Sequence, residues 1–184
     1  MRYLLALLIV VLLVFGYTAW QNSSGNGKSA SSGIVHYGSE TLTTLNSTGF
    51  VTLDGTFVRK ELTVHGSLSA EKAQINNMTV QGRASLTDSV ISGQSSVYGF
   101  LRAKGTSFRG PIEFSGHGVT FEDSNLDAIV VKKPFWAFLQ QTIELSGKTI
   151  CKGTITFESG KGKVIVSGKS QMLGSVQGGE VEKQ

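Results

Sequence analysis

The stretches Val80–Ala84 (Val-Gln-Gly-Arg-Ala) and Val97–Leu101 (Val-Tyr-Gly-Phe-Leu) share one pattern: an apolar residue, any residue, Gly, any residue, and a small or apolar residue. The same pattern surrounds three more glycines, so that the full set is Gly55, Gly66, Gly82, Gly99 and Gly116. These glycines are separated by 11, 16, 17 and 17 residues. A short unit at a nearly fixed spacing is typical of a solenoid, in which each repeat forms one coil stacked on the next.

The length of the repeat predicts what one coil contains. A coil of 16 to 17 residues fits three short strands joined by tight corners, because a strand rises about 3.3 Å per residue. A second column, formed by Ile75, Ile91 and Phe108, runs in phase with the glycines. We therefore predict an all-β fold, a single-stranded parallel β-helix. The alternative is an antiparallel β-sandwich, which the scarcity of hairpin signals disfavours.

Alternation within each unit predicts which residues face the interior. The first apolar residue, the Gly and the last residue are expected to point inward, where a corner or a tight interior excludes a side chain at Gly. The variable residues are expected to point outward. They are Asp54, Thr56, His65, Ser67, Gln81, Arg83, Tyr98, Phe100, Ser115 and His117.

The N-terminal residues 1–20 read as a membrane segment. Arg2 precedes Tyr3–Trp20, a stretch without charge that would give about 27 Å of helix, close to the thickness of the hydrocarbon layer. We favour a single-pass anchor over a signal peptide with its apolar region at Leu4–Phe15. Arg2 is then expected to stay in the cytoplasm, and the residues after Trp20 are expected to lie in the periplasm or on the cell surface. Cleavage would instead give a secreted protein.

Composition divides the remaining chain. Residues 21–33 are rich in Ser and Gly and predict a flexible linker. The β-helix domain is predicted over residues 34–184, with an aromatic insertion at 132–141. The insertion is either a lid over the coils or an exposed contact. In the second case the candidate interface comprises Phe135, Trp136, Phe138 and Leu139.

The residues that usually carry chemistry are sparse. A single cysteine, Cys151, excludes a disulfide framework and a Cys-ligand zinc cluster. His36, His65 and His117 lie far apart in the chain. Six acidic residues are predicted to form no column in phase with the repeat: Asp54, Glu71, Asp88, Glu113, Glu122 and Asp123. We therefore expect no catalytic, cofactor or metal site. An enzyme that modifies sugars or acyl groups is the less favoured alternative.

The chain is basic, with a formal net charge of +4. Its C-terminal half carries an excess of lysine, which is either a solvated face or a contact for an anionic polymer. The candidate contact residues are Lys148, Lys152, Lys161, Lys163 and Lys169. Nucleic acid is not an expected partner of an exported chain.

The glycine-centred coils, above all residues 80–101, resemble the bactofilins, which are polymer-forming cytoskeletal β-helix proteins of bacteria. The likeness covers residues 50–121 and, more loosely, 143–179. It implies a right-handed parallel β-helix, head-to-tail self-assembly without nucleotide, and membrane association through the N-terminus. The chain departs from the family in its long apolar segment, its interrupted coils and its expected location across the membrane.

Together these features predict a non-enzymatic, membrane-anchored structural protein of a bacterial cell envelope. It would contact lipid through residues 3–20 and self-associate through its coils, starting from a first coil at Phe50–Leu53 whose strand edges have no cap. The alternative is a surface or periplasmic module that binds an envelope polysaccharide or another anionic polymer.

Overall fold

The fold is an all-β parallel solenoid of about nine turns, as the repeat predicts. A computed structural model describes residues 28–116, 118–133 and 140–184. These residues contain no helix, and each strand pairing recorded among them is parallel. The predicted N-terminal helix lies outside them, as do His117 and residues 134–139.

Eighteen strands make up the stacked coils. They are β1 (Lys28–Tyr37), β2 (Thr41–Asp54), β3 (Phe57–Glu71), β4 (Gln74–Thr87), β5 (Val90–Ile91), β6 (Ser95–Lys104), β7 (Ser107–Phe108), β8 (Ile112–Ser115), β9 (Gly118–Glu122), β10 (Asn125–Leu126), β11 (Ile129–Val131), β12 (Gln141–Ser146), β13 (Ile150–Cys151), β14 (Ile155–Phe157), β15 (Gly162–Val166), β16 (Gln171–Met172), β17 (Val176–Gln177) and β18 (Gly179–Lys183).

The coil built on β4 illustrates the plan. Its strand bends at Gly82, where φ is 138°; we call this position the glycine corner. The coil closes after Thr87 at Asp88, where φ is 49°; we call this position the closing corner. The residues before and after Gly82 pair with the same positions of β3 and β6. Positive φ at these two corners turns the extended chain inward, so that one face of each strand lines a common interior.

Inward side chains stack in columns through that interior. One column runs Leu53, Ala70, Leu86, Ala103, Phe121 and Leu145, all buried and joined by strand register. Large and small residues alternate in it as far as Phe121, which keeps the interior filled without overpacking. The predicted column of Ile75, Ile91 and Phe108 is present in register, and the Phe108 ring packs edge-on against Phe121 at 5.8 Å.

The glycine column differs from the predicted set. Strand register aligns Gly33, Gly49, Gly66, Gly82 and Gly99, and Gly116 follows them against Gly99. Gly55 does not belong to this column, because it occupies the closing corner, where φ is 66°. A Cβ on Gly82 would overlap the carbonyl oxygen of Gly66. The glycines are thus required by the close approach of two backbones rather than by a crowded interior.

A row of buried hydroxyls lines the closing corner. Thr56 belongs to it and is fully buried, which corrects its predicted outward position. Ser124 Oγ donates to Glu122 O at 2.8 Å and accepts from Thr106 N at 3.2 Å in the coil before. Thr149 Oγ1 accepts from Ser124 N at 3.2 Å. These bonds satisfy backbone groups that the turn would otherwise leave unpaired inside the protein.

The first coil lies one turn earlier than predicted. β1 begins at Lys28 and covers β2 from Thr44 to Leu53, so residues 28–33 belong to a strand and not to the linker. Val51 and Leu53 are fully buried under it. A lysine at either position would therefore disrupt the core, so such a substitution does not test whether a strand edge is free to associate.

Substitutions in the glycine column test the close approach. Gly82→Ala should lower the free energy of unfolding by about 3 kcal/mol, since it adds backbone strain to an overlap with Gly66. Gly33→Ala tests the backbone strain without the overlap, because φ there is 94° but no atom would lie within 4 Å of the added Cβ. Gly38→Ala, in open space without positive φ, should change stability by less than about 0.5 kcal/mol. Urea unfolding of the three variants measures this order; equal effects at positions 33 and 82 would contradict the overlap.

Candidate functional site

The two ends of the solenoid have different chemistry, and the N-terminal end lacks charge over most of its edge strand. β1 pairs with β2 along one edge, and no described strand pairs with its other edge. From Ala30 to Tyr37 the strand carries no Asp, Glu, Lys or Arg. Ile34 is 86% exposed and stands beside Phe50, which is 61% exposed. This end therefore presents backbone hydrogen-bonding groups next to apolar side chains.

The C-terminal end is charged. Three of the five residues of β18, Glu180, Glu182 and Lys183, are ionisable. Lys183 occupies the place that Val166 and Leu145 take in the buried column of the preceding coils. Glu182 pairs with Lys163, and their hydrogen bond lowers the pKa of Glu182 and raises that of Lys163. Charge on an edge strand opposes the addition of another strand.

The aromatic insertion leaves the solenoid at the glycine corner. Gly118 pairs with Thr142, a step of 24 residues, whereas Arg102 pairs with Thr120, a step of 18. The candidate interface residues Phe135, Trp136, Phe138 and Leu139 lie outside the described residues. The base of the insertion is held by Gln141, which sequence reasoning missed. Its buried amide donates to Lys132 O at 2.9 Å and to Gly116 O at 3.1 Å.

An ion pair braces the same base. Lys132 Nζ lies 2.9 Å from Glu158 Oε1. The hydrogen bond from Lys132 lowers the pKa of Glu158, and the Lys133 amide adds to the effect. Both side chains are about two-fifths exposed, so the pair contributes little to stability and serves to fix where the insertion begins.

The five candidate lysines do not form one surface. Lys148 and Lys169 occupy the closing corner of successive coils, after Gly147 and Gly168. Lys152 lines a groove on another side with Arg109 and Asp127, and Lys161 lies at the corner that follows β14. Lys163 is already paired with Glu182. An anionic polymer that followed one side of the solenoid would not reach all five.

Strand register brings one pair of carboxylates together. Asp54 pairs with Glu71, but Thr87 and Lys104 follow in the same column before Glu122, so the register forms no continuous acidic column. Lys72 bonds to Glu71 at 3.2 Å and also lies near Asp54 and Asp88; these contacts raise its pKa, the hydrogen bond to Glu71 most of all. Over the described ranges, no three His, Cys, Asp or Glu residues are grouped as metal ligands.

The one cysteine is a core residue. Cys151 stacks between Leu126 and Met172 in register and is fully buried. Burial raises the pKa of its thiol to about 11, so that the reactive thiolate is scarce at neutral pH. His65, exposed, faces Gln81 at 3.0 Å from its Nδ1, and no carboxylate joins this pair in the recorded bonds.

No protein-family model, curated protein or solved structure gives a significant match to this chain. Among the residues that the structure describes, no helix has the length and apolar character needed to cross a membrane. The predicted anchor at residues 3–20 is outside those ranges.

The thiol gives a pH test of the core. Because the folded pKa of Cys151, about 11, exceeds its ordinary value of 9.0, the unfolded state loses its proton first as pH rises. The stabilisation that the buried, protonated thiol contributes is complete below pH 9.0 and is lost as pH rises through about 11. Urea unfolding should therefore show a steeper loss of stability from pH 8 to 11 in the wild type than in Cys151→Val. Parallel pH profiles would contradict the buried placement of the thiol.

Proposed function

We propose that this chain is a non-enzymatic structural protein of a bacterial cell envelope, anchored through residues 3–20, whose solenoid self-associates through its first coil. The observation that supports this proposal is the difference between the two ends. The β1 edge carries no Asp, Glu, Lys or Arg from Ala30 to Tyr37 and exposes Ile34, whereas the β18 edge is charged. The resemblance of the coils to bactofilins and the uncharged N-terminal segment support the envelope and membrane assignments.

The β1 edge has the chemistry of an association surface. An open strand edge is a template for pairing with another chain, because its N–H and C=O groups otherwise bond only to water. Val35 is only half-buried over Val51, and Ile34 is 86% exposed. A second copy related by a two-fold axis would pair β1 with the partner's β1 in antiparallel orientation. Such an isologous contact would cover both residues.

The β18 edge argues against an open filament. Head-to-tail stacking would place Lys183 of one copy over the column that ends at Tyr37 of the next. An unpaired ammonium inside an apolar column is costly. Association at the N-terminal end alone closes as a dimer. This differs from the head-to-tail polymer that the resemblance implies.

The short linker before β1 is compatible with association through the first coil. Residues 21–27 separate the apolar segment from β1 and span at most about 25 Å when extended. The first coil is thereby kept close to the membrane surface. Two copies joined at β1 would bring their anchors together, so that membrane attachment raises the local concentration of the associating edges.

Single cysteines test which edge associates. In full-length protein that carries Cys151→Ala, we place one cysteine in β1 (Ser32→Cys, Ile34→Cys or His36→Cys) or, as the matched control, in β18 (Glu180→Cys or Glu182→Cys). Oxidation in membranes washed at alkaline pH should give covalent dimers from the β1 series only. Proximity across a two-fold axis is what brings identical positions together.

Other cross-linking patterns contradict the proposal. Cross-links in the β18 series would mean that the charged end associates as well, and an absence of dimers in both series would contradict the two-fold contact through β1. Loss of the protein from alkaline-washed membranes would contradict the proposed membrane anchor.

A further inference from the structure

A groove of about 540 Å³ lies on the outer side of the coils that follows the glycine corner. Its walls include the exposed side chains of Arg83, Phe100 and Arg102, and its remaining lining includes Ser85, Gly118 and Thr120. We propose that this groove binds a carboxylate-bearing polysaccharide. The inference does not depend on the proposed self-association.

Strand register creates the arrangement. Arg83 pairs with Phe100, and Ser85 pairs with Arg102. The arginines therefore stand one coil apart and two residues apart along the strand. With about 4.8 Å between strands and about 3.3 Å per residue, their Cα atoms are separated by roughly 8 Å. Both guanidiniums project from one rigid sheet, which lowers the entropic cost of binding a ligand between them.

The two guanidiniums are available to a ligand. Among the described residues, neither Arg83 nor Arg102 forms a salt bridge. The nearby carboxylates have other partners: Glu122 pairs with Lys104 at 2.8 Å, and Glu144 contacts the Thr120 hydroxyl at 3.5 Å. Arg83 is held with its Cζ 5.8 Å from the centre of the Phe100 ring. Each guanidinium keeps donors for an external acceptor, since it carries five N–H groups.

The groove favours a sugar acid. A planar guanidinium matches a carboxylate with two parallel hydrogen bonds. The Phe100 ring, 60% exposed, offers an apolar surface to the C–H face of a sugar ring. The hydroxyls of Ser85 and Thr120 supply neutral hydrogen-bonding partners for sugar hydroxyls. Charge alone would suit a phosphate polymer equally, but the exposed ring and the hydroxyls suit an acidic sugar better.

The surface beyond the groove favours a polymer over a single sugar. Toward the N-terminal end, the same two outward columns continue through Ser67 and Ser69 and then Phe50 and Thr52. These positions carry hydroxyls and a second exposed ring, and no carboxylate. A chain bound at the two arginines can therefore continue along these two columns, whose side chains carry no negative charge. The Asp54–Glu71 pair stands in the next outward column, where Lys72 bonds to Glu71.

Binding of polygalacturonate to the full-length protein in detergent tests the proposal. Arg83→Gln or Arg102→Gln should weaken binding about tenfold or more, the effect of losing a charge-assisted hydrogen bond. Phe100→Ala should weaken it several-fold and leave its salt dependence unchanged. The matched control is Arg59→Gln, because Arg59 also stacks on a ring, Phe57, at 6.0 Å but does not line the groove. It should change affinity less than twofold.

Further controls separate the alternatives. Lys148→Gln combined with Lys169→Gln should leave binding intact if the groove, and not general basic charge, holds the polymer. Circular dichroism and thermal melts verify that each variant is folded. Equal weakening by Arg59→Gln, tighter binding of polyphosphate or single-stranded DNA than of polygalacturonate, or no binding of polygalacturonate by the wild type would each overturn the proposal.

Discussion

The solenoid depends on the close approach of successive backbones at the glycine corner. A Cβ on Gly66, Gly82 or Gly99 would overlap the carbonyl oxygen of the preceding glycine, and each of these residues has positive φ. Only a register that sets glycine over glycine permits this contact, so the column fixes how the coils from Gly33 to Gly116 align with one another. That register stacks Leu86 on Ala70 inside and sets Arg83 beside Phe100 outside. The core and the proposed groove both follow from it.

The sequence predicted the glycine column where the flanking residues are apolar and missed it where they are polar. Gly33 and Gly49 share the register of Gly66, but Ser31 and Ser47 stand where later coils have valine. The Ser31 hydroxyl donates to Ser47 at 2.9 Å, and Ser47 is 1% exposed. A hydrogen-bonded pair of hydroxyls, of which Ser47 is buried, thus replaces an apolar contact, and the hydrophobic pattern disappears although the geometry continues.

Two further differences have physical reasons. Gly55 matched the pattern because the closing corner also needs positive φ, which Gly adopts without strain. Thr56 was assigned to the outside by alternation, but a corner interrupts the two-residue period and turns its hydroxyl inward to Gly38 O at 2.7 Å. The groove was not predictable from spacing alone, because it joins residues of different coils. Its signal was the arginine and aromatic residues at variable positions of two adjacent units.

The proposed assembly rests on the difference in charge between the β1 edge and the β18 edge. The column of inward side chains is buried from Tyr37 to Val166 and continues into the exposed Lys183, and for this reason the assembly that we propose uses the N-terminal end alone. Small-angle scattering of the full chain in matched-out detergent tests this most directly. Two solenoids of about nine turns, joined at β1 with about 4.8 Å per turn, predict a closed particle whose β-solenoid is about 90 Å long. A length of about 45 Å would mean a monomer, and a length that grows with concentration would mean a filament; either result contradicts association through one end.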